Sequence, residues 1–376
     1  MKIISYKLGP TNIDEWDFDE AYFDRVNLIV GDSGTGKTRF MNTIVNFTKQ
    51  LISEKAVFSG DWRLRFEIDQ VIYKYALVVK ESESNPGEKY VENEELINET
   101  NDHILVSRNS NGFYWKGGVL PKLGNDMTSI YLLREEAEVK PIFQSFRKII
   151  ARRFFQDALS ENFGFKAMVA EKQNKVIDNK DISALLSDTI DFHNRMAMLR
   201  LMDLKTYEQV IGLYKQAFPY ITDVQILPIN NAIRNLGIQI PSVVFCIKEK
   251  NVNSWIPVND ISSGMQKIFL LILDIFIIKE GGVLLIDEYE NSLGMNAINF
   301  LPDLLYTISD KCQFIITSHH PYIINNIDIE NWLVFHRDGL KISIKSGKDL
   351  KEKYGKSKQQ QFIQLINDPF YTGGIE

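Results

Sequence analysis

Apolar and polar positions alternate along the first third of the chain in a way that predicts strands. Val26–Val30 is a short, apolar, β-branched run typical of a buried strand. Residues 39–45, which follow a glycine-rich segment, show the pattern of a helix. From Trp62 to about Tyr131, alternating segments are separated by turn-forming sequences such as 82–87 and 109–112. We expect an antiparallel sheet appended to a strand–loop–helix core.

From about Glu135 to Phe218, the spacing of the apolar residues changes to that of a helix. Ile142, Phe146, Ile149 and Ile150 fall on one helical face, which predicts an insertion of about four helices, too short for a long coiled-coil arm. The strand pattern returns further along the chain, in segments 224–227, 243–247, 283–286, 314–317, 332–335 and 340–344.

These changes of pattern predict three parts. Residues 1–134 would form an N-terminal lobe with the antiparallel subdomain, residues 135–220 a helical insertion, and residues 221–376 a C-terminal lobe. The predicted fold class is α/β.

Composition narrows the class of protein. The 376 residues are 44% hydrophobic and 24% charged, and the net charge of −6 argues against a broadly basic nucleic-acid surface. Cys246 and Cys312 lie in apolar runs and offer no disulfide or zinc framework. The longest apolar run, residues 268–278, is too short to span a bilayer, and the first residues lack a signal-peptide pattern. We therefore expect a cytoplasmic protein without a membrane partner.

A glycine-rich segment after the first buried strand matches the phosphate-binding motif G-x-x-x-x-G-K-[ST]. Its residues are Gly31, Asp32, Ser33, Gly34, Thr35, Gly36, Lys37 and Thr38. Glycines let successive backbone N–H groups face a phosphate at the positive end of the following helix. Lys37 can reach the β- and γ-phosphates, the Thr38 hydroxyl can ligate Mg²⁺, and Arg39 follows in the same site. This motif predicts binding of a nucleoside triphosphate, for which we infer ATP and Mg²⁺ as cofactors.

An acidic pair follows a second buried strand. Val283–Ile286 leads into Asp287 and Glu288. Asp287 is expected in the Mg²⁺ shell opposite Thr38, and Glu288 is expected to orient or activate the attacking water.

Two further motifs suggest which class of phosphate-loop protein this is. Ile261–Lys267, which precedes a helix predicted over residues 266–279, resembles the L-S-G-G-Q signature of the ABC superfamily, although Ser263 and Met265 depart from the transporter consensus. Asp260 or Ser262 could instead cap that helix. The resemblance implies that Ser262, Ser263 and Gly264 bind the γ-phosphate of a nucleotide held on another protomer.

The strand at residues 314–317 ends in Ser318-His319-His320-Pro321. In ABC ATPases a strand-end histidine senses the γ-phosphate, and the family form T-H-[SP]-P favours His319 over His320 for this role. Residues 287–294 resemble the D-E-x-E-x-x-L-H segment of OLD-type ATPases, with Gly294 in place of the histidine. The glutamine loop stays unassigned, since the nearby Gln144 falls in a predicted helix.

Together these motifs resemble the non-transporter ABC ATPases of the SMC-like and OLD-like group. The resemblance implies a P-loop NTPase of the ABC head type, with an antiparallel β-subdomain and a helical insertion. It also implies a slow ATPase that works as a homo-oligomer, with ATP sandwiched between two protomers.

About fifty residues follow the histidine turn, without an acidic cluster suited to a nuclease. The compact size is similar to ATPase subunits of anti-phage systems, including the PARIS type. The resemblance implies a separate effector such as a Toprim nuclease and a phage protein as the trigger.

A second hypothesis is an SMC-like or RecF-like ATPase that acts on DNA in repair or recombination. It depends on the basic stretch Arg147–Arg153, predicted to be helical with several cations on one side. Glu135, Glu136 and Glu138 lie nearby, and a solvated helix face is the favoured interpretation. A transporter ATPase has less support, because the usual signature is absent.

Overall fold

The structure is a computed structural model that describes residues 1–54, 58–85, 87–121, 124, 126–152, 185, 192–233, 238–278, 281–291 and 295–373. These residues belong to two compact units. The first unit comprises Met1–Arg152, Glu280–Glu290 and Leu304–Glu376, and the second comprises Arg153–Lys279 and Asn291–Asp303. The boundaries differ from those predicted at residues 134 and 220, because residues 140–152 pack with the N-terminal strands and helix.

A sheet of fourteen described strands forms the first unit. Its strands in chain order are β1 (Lys2–Gly9), β2 (Asp17–Tyr22), β3 (Val26–Val30), β4 (Gly60–Ile68), β5 (Val71–Glu81), β6 (Lys89–Asn98), β7 (His103–Asn109), β8 (Gly112–Trp115), β9 (Gly118–Leu120), β10 (Ile149–Arg152), β14 (Gly282–Ile286), β15 (Cys312–Thr317), β16 (Trp332–Asp338) and β17 (Lys341–Ser346). The second unit contributes β11 (Ile221–Ile233), β12 (Ile238–Glu249) and β13 (Ile256–Pro257), which pair antiparallel.

The sheet has a parallel half and an antiparallel half. In the parallel half the order is β10-β14-β15-β3-β16, and each neighbouring pair is parallel. Strands β3, β14 and β15 are buried at every position, as continuous apolar runs in a covered parallel sheet should be. Because parallel strands end at the same edge, the segments that follow β3, β14 and β15 meet there.

In the antiparallel half, β1 pairs with β2 and β4, and β4 through β9 pair in sequence. This confirms the antiparallel subdomain predicted from residues 62–131. Strand β4 buries every second side chain, the period expected of a sheet with one covered face.

Helices cover the sheet and build the second unit. They are α1 (Lys37–Ile52), α2 (Ser129–Leu132), α3 (Lys140–Phe146), α4 (Phe192–Met202), α5 (Leu204–Ala217), α6 (Ser263–Ile278), α7 (Met295–Ile308), α8 (Pro321–Asn326), α9 (Gly347–Lys351), α10 (Lys358–Asn367) and α11 (Pro369–Thr372). None of the described helices is long and apolar enough to cross a membrane.

Helix α1 packs its apolar face on the sheet through aromatic contacts. The Phe40 ring lies 5.1 Å from that of Phe335 on β16 and 5.6 Å from that of Tyr6 on β1, and the Phe47 ring lies 5.5 Å from that of Trp62 on β4. The helix that follows the phosphate loop is therefore anchored to both halves of the sheet.

The predicted helical face through Ile149 and Ile150 is wrong. Ile142 and Phe146 are buried in α3, but residues 149–152 form strand β10, which pairs with β14 from Ile149↔Val283 to Arg152↔Ile286. The basic stretch at residues 147–152 is therefore not helical, and Arg153 lies outside the described residues. The pairing partner β14 is far away in the chain, so a local period could not reveal this strand.

The second unit is organised around the apolar helix α6. The Phe269 ring lies 4.3 Å from that of Tyr214 on α5, 4.5 Å from Phe245 on β12 and 4.9 Å from Phe192 on α4. A buried ion pair joins Arg195 to Asp274 at 3.3 Å. Most of the predicted helical insertion, residues 153–184 and 186–191, lies outside the described residues.

The two closing strands predicted near the C-terminus are present as β16 and β17. Both cysteines are buried and unbonded to one another, as the sequence indicated.

Candidate functional site

The phosphate-loop segment connects the buried strand β3 to helix α1 and has the backbone its sequence predicts. Gly34 and Gly36 have φ values of 85° and 90°, which residues with a Cβ rarely adopt. A Cβ at Gly31 would lie 2.7 Å from Thr35 Oγ1 and 3.0 Å from the Phe335 carbonyl oxygen. The loop is therefore wrapped closely on itself and on β16.

Lys37 lies inside this loop. Its side chain is 6% exposed, and its Nζ donates hydrogen bonds to the carbonyl oxygens of Gly31 at 2.9 Å and Asp32 at 2.8 Å. Burial lowers the pKa of Lys37 to about 8, although the charges of Asp32, Asp287, Glu290 and Glu288 act in the opposite direction. A partly desolvated ammonium surrounded by acidic groups is suited to exchange its carbonyl partners for phosphate oxygens.

Asp287 and Glu288 follow β14 at the same edge of the sheet and are tied to the end of β15. The Thr317 hydroxyl donates to Asp287 Oδ1 at 2.7 Å and accepts from the Glu288 backbone N–H at 2.8 Å. A third bond joins the Tyr289 N–H to the Thr317 carbonyl at 3.0 Å. The Thr317 hydroxyl therefore holds both predicted acidic residues: Asp287 by its side chain and Glu288 by its backbone N–H.

The backbone of Glu288 is strained. Its φ of 47° lies in the left-handed region, which costs a non-glycine residue on the order of 1 kcal/mol. Such strain persists only when neighbouring bonds hold it, and here the bond to Thr317 does so. The Glu288 side chain is half-buried.

The two adjacent histidines have different surroundings. His320 begins helix α8, where its Nδ1 accepts from the Tyr322 N–H at 3.2 Å. His319 is exposed and lies within electrostatic range of Lys37; burial of part of the ring and then the Lys37 charge lower its pKa. Its backbone N–H donates to Glu290 Oε1 at 2.6 Å. His319 is therefore within electrostatic range of the Lys37 and Asp32 charges of the phosphate loop.

The signature-like segment lies in the second unit and is described by itself. Ser262 caps α6, since its Oγ accepts from the Met265 N–H at 3.3 Å. The Gln266 side chain donates to the carbonyls of Val258 at 2.8 Å and Ile261 at 3.1 Å, which holds the preceding turn. The helix therefore begins at Ser263, three residues before its predicted start. Ser262 and Ser263 are exposed, and Gly264 is buried.

The remaining predicted residues of the loop form its outer face. Asp32, Ser33, Thr38 and Arg39 are exposed. The Arg39 guanidinium lies 4.3 Å from the ring centroid of Trp16, which precedes β2.

Four residues near these groups had no role assigned from the sequence. Thr317 and Glu290 link the segments after β14 and β15. Arg337 donates to the Gly34 carbonyl at 3.2 Å, and its guanidinium lies 4.6 Å from the Trp16 ring centroid. The repeated acid in Asp287-Glu288-Tyr289-Glu290 was a sequence signal for Glu290. Trp16 and Arg337 had none, because sheet pairing alone brings them to the loop.

One predicted motif segment has no structural account, and Gln144 lies in a helix as the sequence predicted. Ser292–Gly294 lies outside the described residues, and Gln144 lies within helix α3.

The residues present fit a Mg²⁺-bound nucleotide. The glycine cradle, the desolvated Lys37, the exposed Thr38 and the buried Asp287 lie in the first unit at one end of the parallel strands. Among the described residues no group of three or more His, Cys, Asp or Glu could hold a metal ion unaided.

Comparison with known proteins places the chain among P-loop ATPases. Residues 26–325 match the family described as "AAA domain, putative AbiEii toxin, Type IV TA system". No protein with a curated description matches the sequence.

Solved structures of SMC head domains are similar over most of the chain. The SMC head bound to the C-winged helix domain of ScpA is 13% identical, with a TM-score of 0.52 over 92% of this chain and 98% of that one. The SMC head from Thermotoga maritima is 14% identical, with a TM-score of 0.42 over 92% and 99%. The Pyrococcus furiosus SMC head with an extended coiled coil, bound to the C-terminal domain of ScpA, is 13% identical, with a TM-score of 0.46 over 94% and 98%. The first of these likenesses shows that the α/β fold is similar to that of an SMC head domain.

Proposed function

This chain belongs to the AAA-domain family described as "putative AbiEii toxin, Type IV TA system", and we propose that it binds ATP with Mg²⁺, hydrolyses it slowly and changes its assembly with the nucleotide. One observation carries the proposal. The Thr317 hydroxyl ties Asp287 and Glu288 to the strand end that leads to His319, and both acids act electrostatically on Lys37.

The residues take separate tasks in this proposal. Lys37 and the loop N–H groups bind the β- and γ-phosphates, and Thr38 and Asp287 hold Mg²⁺, which when bound neutralises phosphate charge. Glu288 orients the attacking water and accepts its proton, while His319 contacts the γ-phosphate side. The exposed Arg39 extends the positive surface of the loop.

Hydrolysis in this proposal needs a second protomer. Ser262 and Ser263 are exposed at the beginning of α6, where backbone N–H groups and the helix dipole favour an anion. With Gly264, they would bind the γ-phosphate of ATP held by the partner's phosphate loop. The active species would therefore be at least a homodimer.

The proposal is tested by measuring solution mass by light scattering. We expect the Glu288→Gln variant to bind Mg-ATP without turnover and to show a larger mass with Mg-ATP than with Mg-ADP. Lys37→Ala is the matched control, since it should lose nucleotide binding and show one mass in both. Equal masses for Glu288→Gln in both nucleotides would rule out ATP-dependent assembly.

The shared site has its own test. Ser262→Arg should keep nucleotide affinity, because the phosphate loop is untouched, and lose hydrolysis, because the larger cation blocks the partner's site. Ser357→Arg, at the cap of helix α10, is the control for a serine cap outside the site. Parental hydrolysis by Ser262→Arg would show that one protomer suffices.

We further propose that the ATP cycle serves anti-phage defence by holding or releasing a separate effector of the Toprim nuclease class in response to a phage protein. The family description, which names a toxin–antitoxin system, supports a role of this kind. Phage challenge of cells that carry the gene with its neighbours is the test. Lys37→Ala should abolish protection, and protection that survives this change would exclude an ATP-controlled role.

Action on DNA is not proposed. Its one favouring feature was a basic helical face at residues 147–153, and residues 149–152 instead form a strand in the parallel sheet.

A further inference from the structure

Glu290 follows the acidic pair by two residues and uses only one of its carboxylate oxygens. Oε1 accepts a hydrogen bond from the His319 backbone N–H at 2.6 Å. Oε2 is buried and has no hydrogen-bond partner in the part of the chain that the structure describes. Leaving a buried charged oxygen without a donor is costly, so its presence calls for a physical reason.

Holding the turn is not by itself a sufficient reason. The segments after β14 and β15 are already joined by the Glu288 and Tyr289 N–H groups, which donate to the hydroxyl and the carbonyl of Thr317. A neutral amide could also accept the His319 N–H, although in a weaker bond. The carboxylate therefore adds a negative charge, which the turn itself does not need.

That charge acts on the two nitrogen groups of the site. Glu290 raises the pKa of His319 electrostatically, and its charge also acts on the Lys37 ammonium. Four charged groups face His319: Lys37 lowers its pKa, and Glu290, Glu288 and Asp32 raise it. Of these, Glu290 is also hydrogen-bonded to the backbone of His319.

We propose that Glu290 is a positioning residue of the hydrolytic site, which fixes the His319 turn through Oε1 and supplies a negative charge beside Lys37 and the His319 imidazole. The unengaged Oε2 is the acceptor for a donor that arrives with the hydrated Mg-nucleotide. This inference rests on the proposed ATPase function and adds a residue to it. It assigns a role to the second glutamate of the Asp287–Glu290 segment.

Steady-state kinetics of two variants is the first test. Glu290→Gln keeps the shape and the bond to the His319 N–H but removes the charge, and we expect kcat to fall about tenfold with little change in KM. Glu290→Ala removes both contributions, and we expect a fall of about a hundredfold. Circular dichroism and the unfolding midpoint check that both variants are folded. Parental kcat in Glu290→Gln would show that the charge has no role.

The second test needs neither ATP nor turnover. The imidazole of His319 is titrated by NMR in the nucleotide-free protein, with its signal assigned by its loss in His319→Gln. Because the Glu290 charge raises the pKa of His319, Glu290→Gln should lower it further. Glu99→Gln, an acid in an exposed ion pair with Arg65, should leave it unchanged. An unchanged His319 titration in Glu290→Gln would overturn the charge assignment.

The two tests separate the possible failures. If the His319 titration shifts while the parental protein has no ATPase activity, the proposed function fails and the charge coupling stands. If ATP is hydrolysed normally and neither kcat nor the titration responds to Glu290→Gln, this inference alone fails.

Discussion

Carboxylates in the two halves of the large sheet are partnered in different ways: Glu94 is buried within a strand, whereas Glu288 and Glu290 are half-buried beyond the end of one. Glu94, on β6 in the antiparallel half, accepts from the Tyr75 hydroxyl and from the Ser129 N–H and hydroxyl, the last two at 2.8 and 2.6 Å. Arg108 Nη1 lies 3.7 Å from its Oε2. Around the phosphate loop, by contrast, Glu290 has an oxygen without a partner, and Glu288 has a strained backbone.

The difference distinguishes a structural acid from acids placed for chemistry. The Glu94 carboxylate is surrounded by donors and holds the first residue of α2, Ser129. The preceding Thr128 donates to the Gln50 carbonyl at 3.2 Å, near the end of α1. Burial raises the pKa of Glu94, and its hydrogen bonds act in the opposite direction. A network in which every polar group has a hydrogen-bond partner rigidifies a core. Polar groups without partners and backbone strain just beyond the end of a strand are typical of a site that binds a ligand.

The largest expected effect is on turnover. Glu288→Gln should reduce ATP hydrolysis by roughly 10²–10⁴-fold, because the amide cannot accept the proton of the attacking water. Phosphate release measures this, with equilibrium nucleotide binding as the check that the phosphate loop is intact. Hydrolysis at the parental rate would assign the base to another residue and weaken the contrast with Glu94.

The second effect is on stability and comes from the other half of the sheet. Glu94→Ala should lower the free energy of unfolding by about 3–5 kcal/mol, because it leaves the buried Arg108 without its counter-ion and the Tyr75 and Ser129 hydroxyls without their acceptor. ATP affinity of the folded variant should stay close to parental. Chemical denaturation measures the first quantity and equilibrium binding the second. The exposed Glu92→Ala on the same strand is the control and should alter neither. A Glu94 variant with parental stability would remove the structural side of the comparison.

The third effect is on the pH dependence of binding. Lys37 has a pKa of about 8 in the nucleotide-free site, and bound phosphates should raise it, since they favour the charged form. The affinity for ATP should therefore be highest below about pH 8 and should fall as the pH rises, by up to about tenfold per pH unit. Calorimetry in buffers of different ionisation enthalpy should show proton uptake on binding above pH 8. Affinity independent of pH between 7 and 10 would contradict the assignment of Lys37 to the phosphates.

The smallest effect concerns the contact between β16 and the phosphate loop. Arg337→Ala removes the hydrogen bond to the Gly34 carbonyl and should weaken ATP binding about 2- to 10-fold. Arg134→Ala is a matched control, because Arg134 also lies 4.3 Å from a ring centroid, that of Tyr131, and donates to a carbonyl at 2.7 Å. Nucleotide titrations of both variants measure the difference. Equal ATP affinities for Arg337→Ala and Arg134→Ala would show that the contact with β16 does not hold the phosphate loop in its binding conformation.

Much of the fold could be predicted because its signals are local. The buried strand β3, the glycine loop and helix α1 follow one another in the chain, and the alternation in β4 reports which face is covered. Strand β10 was missed because Ile149 and Ile150 continue the apolar period of α3, and only their pairing with β14 makes them a strand. The beginning of α6 was misplaced by three residues because Ser262, rather than the apolar pattern, sets it.

The sequence by itself determined the phosphate loop, the acidic pair and the histidine turn, because each is a short motif whose chemistry lies in consecutive residues. Tertiary structure alone decided what holds them together. Thr317 meets Glu288, Glu290 meets His319 and Arg337 meets Gly34 across the ends of neighbouring strands. The order of strands in a sheet is set by packing and long-range pairing, which leave no local period in the sequence.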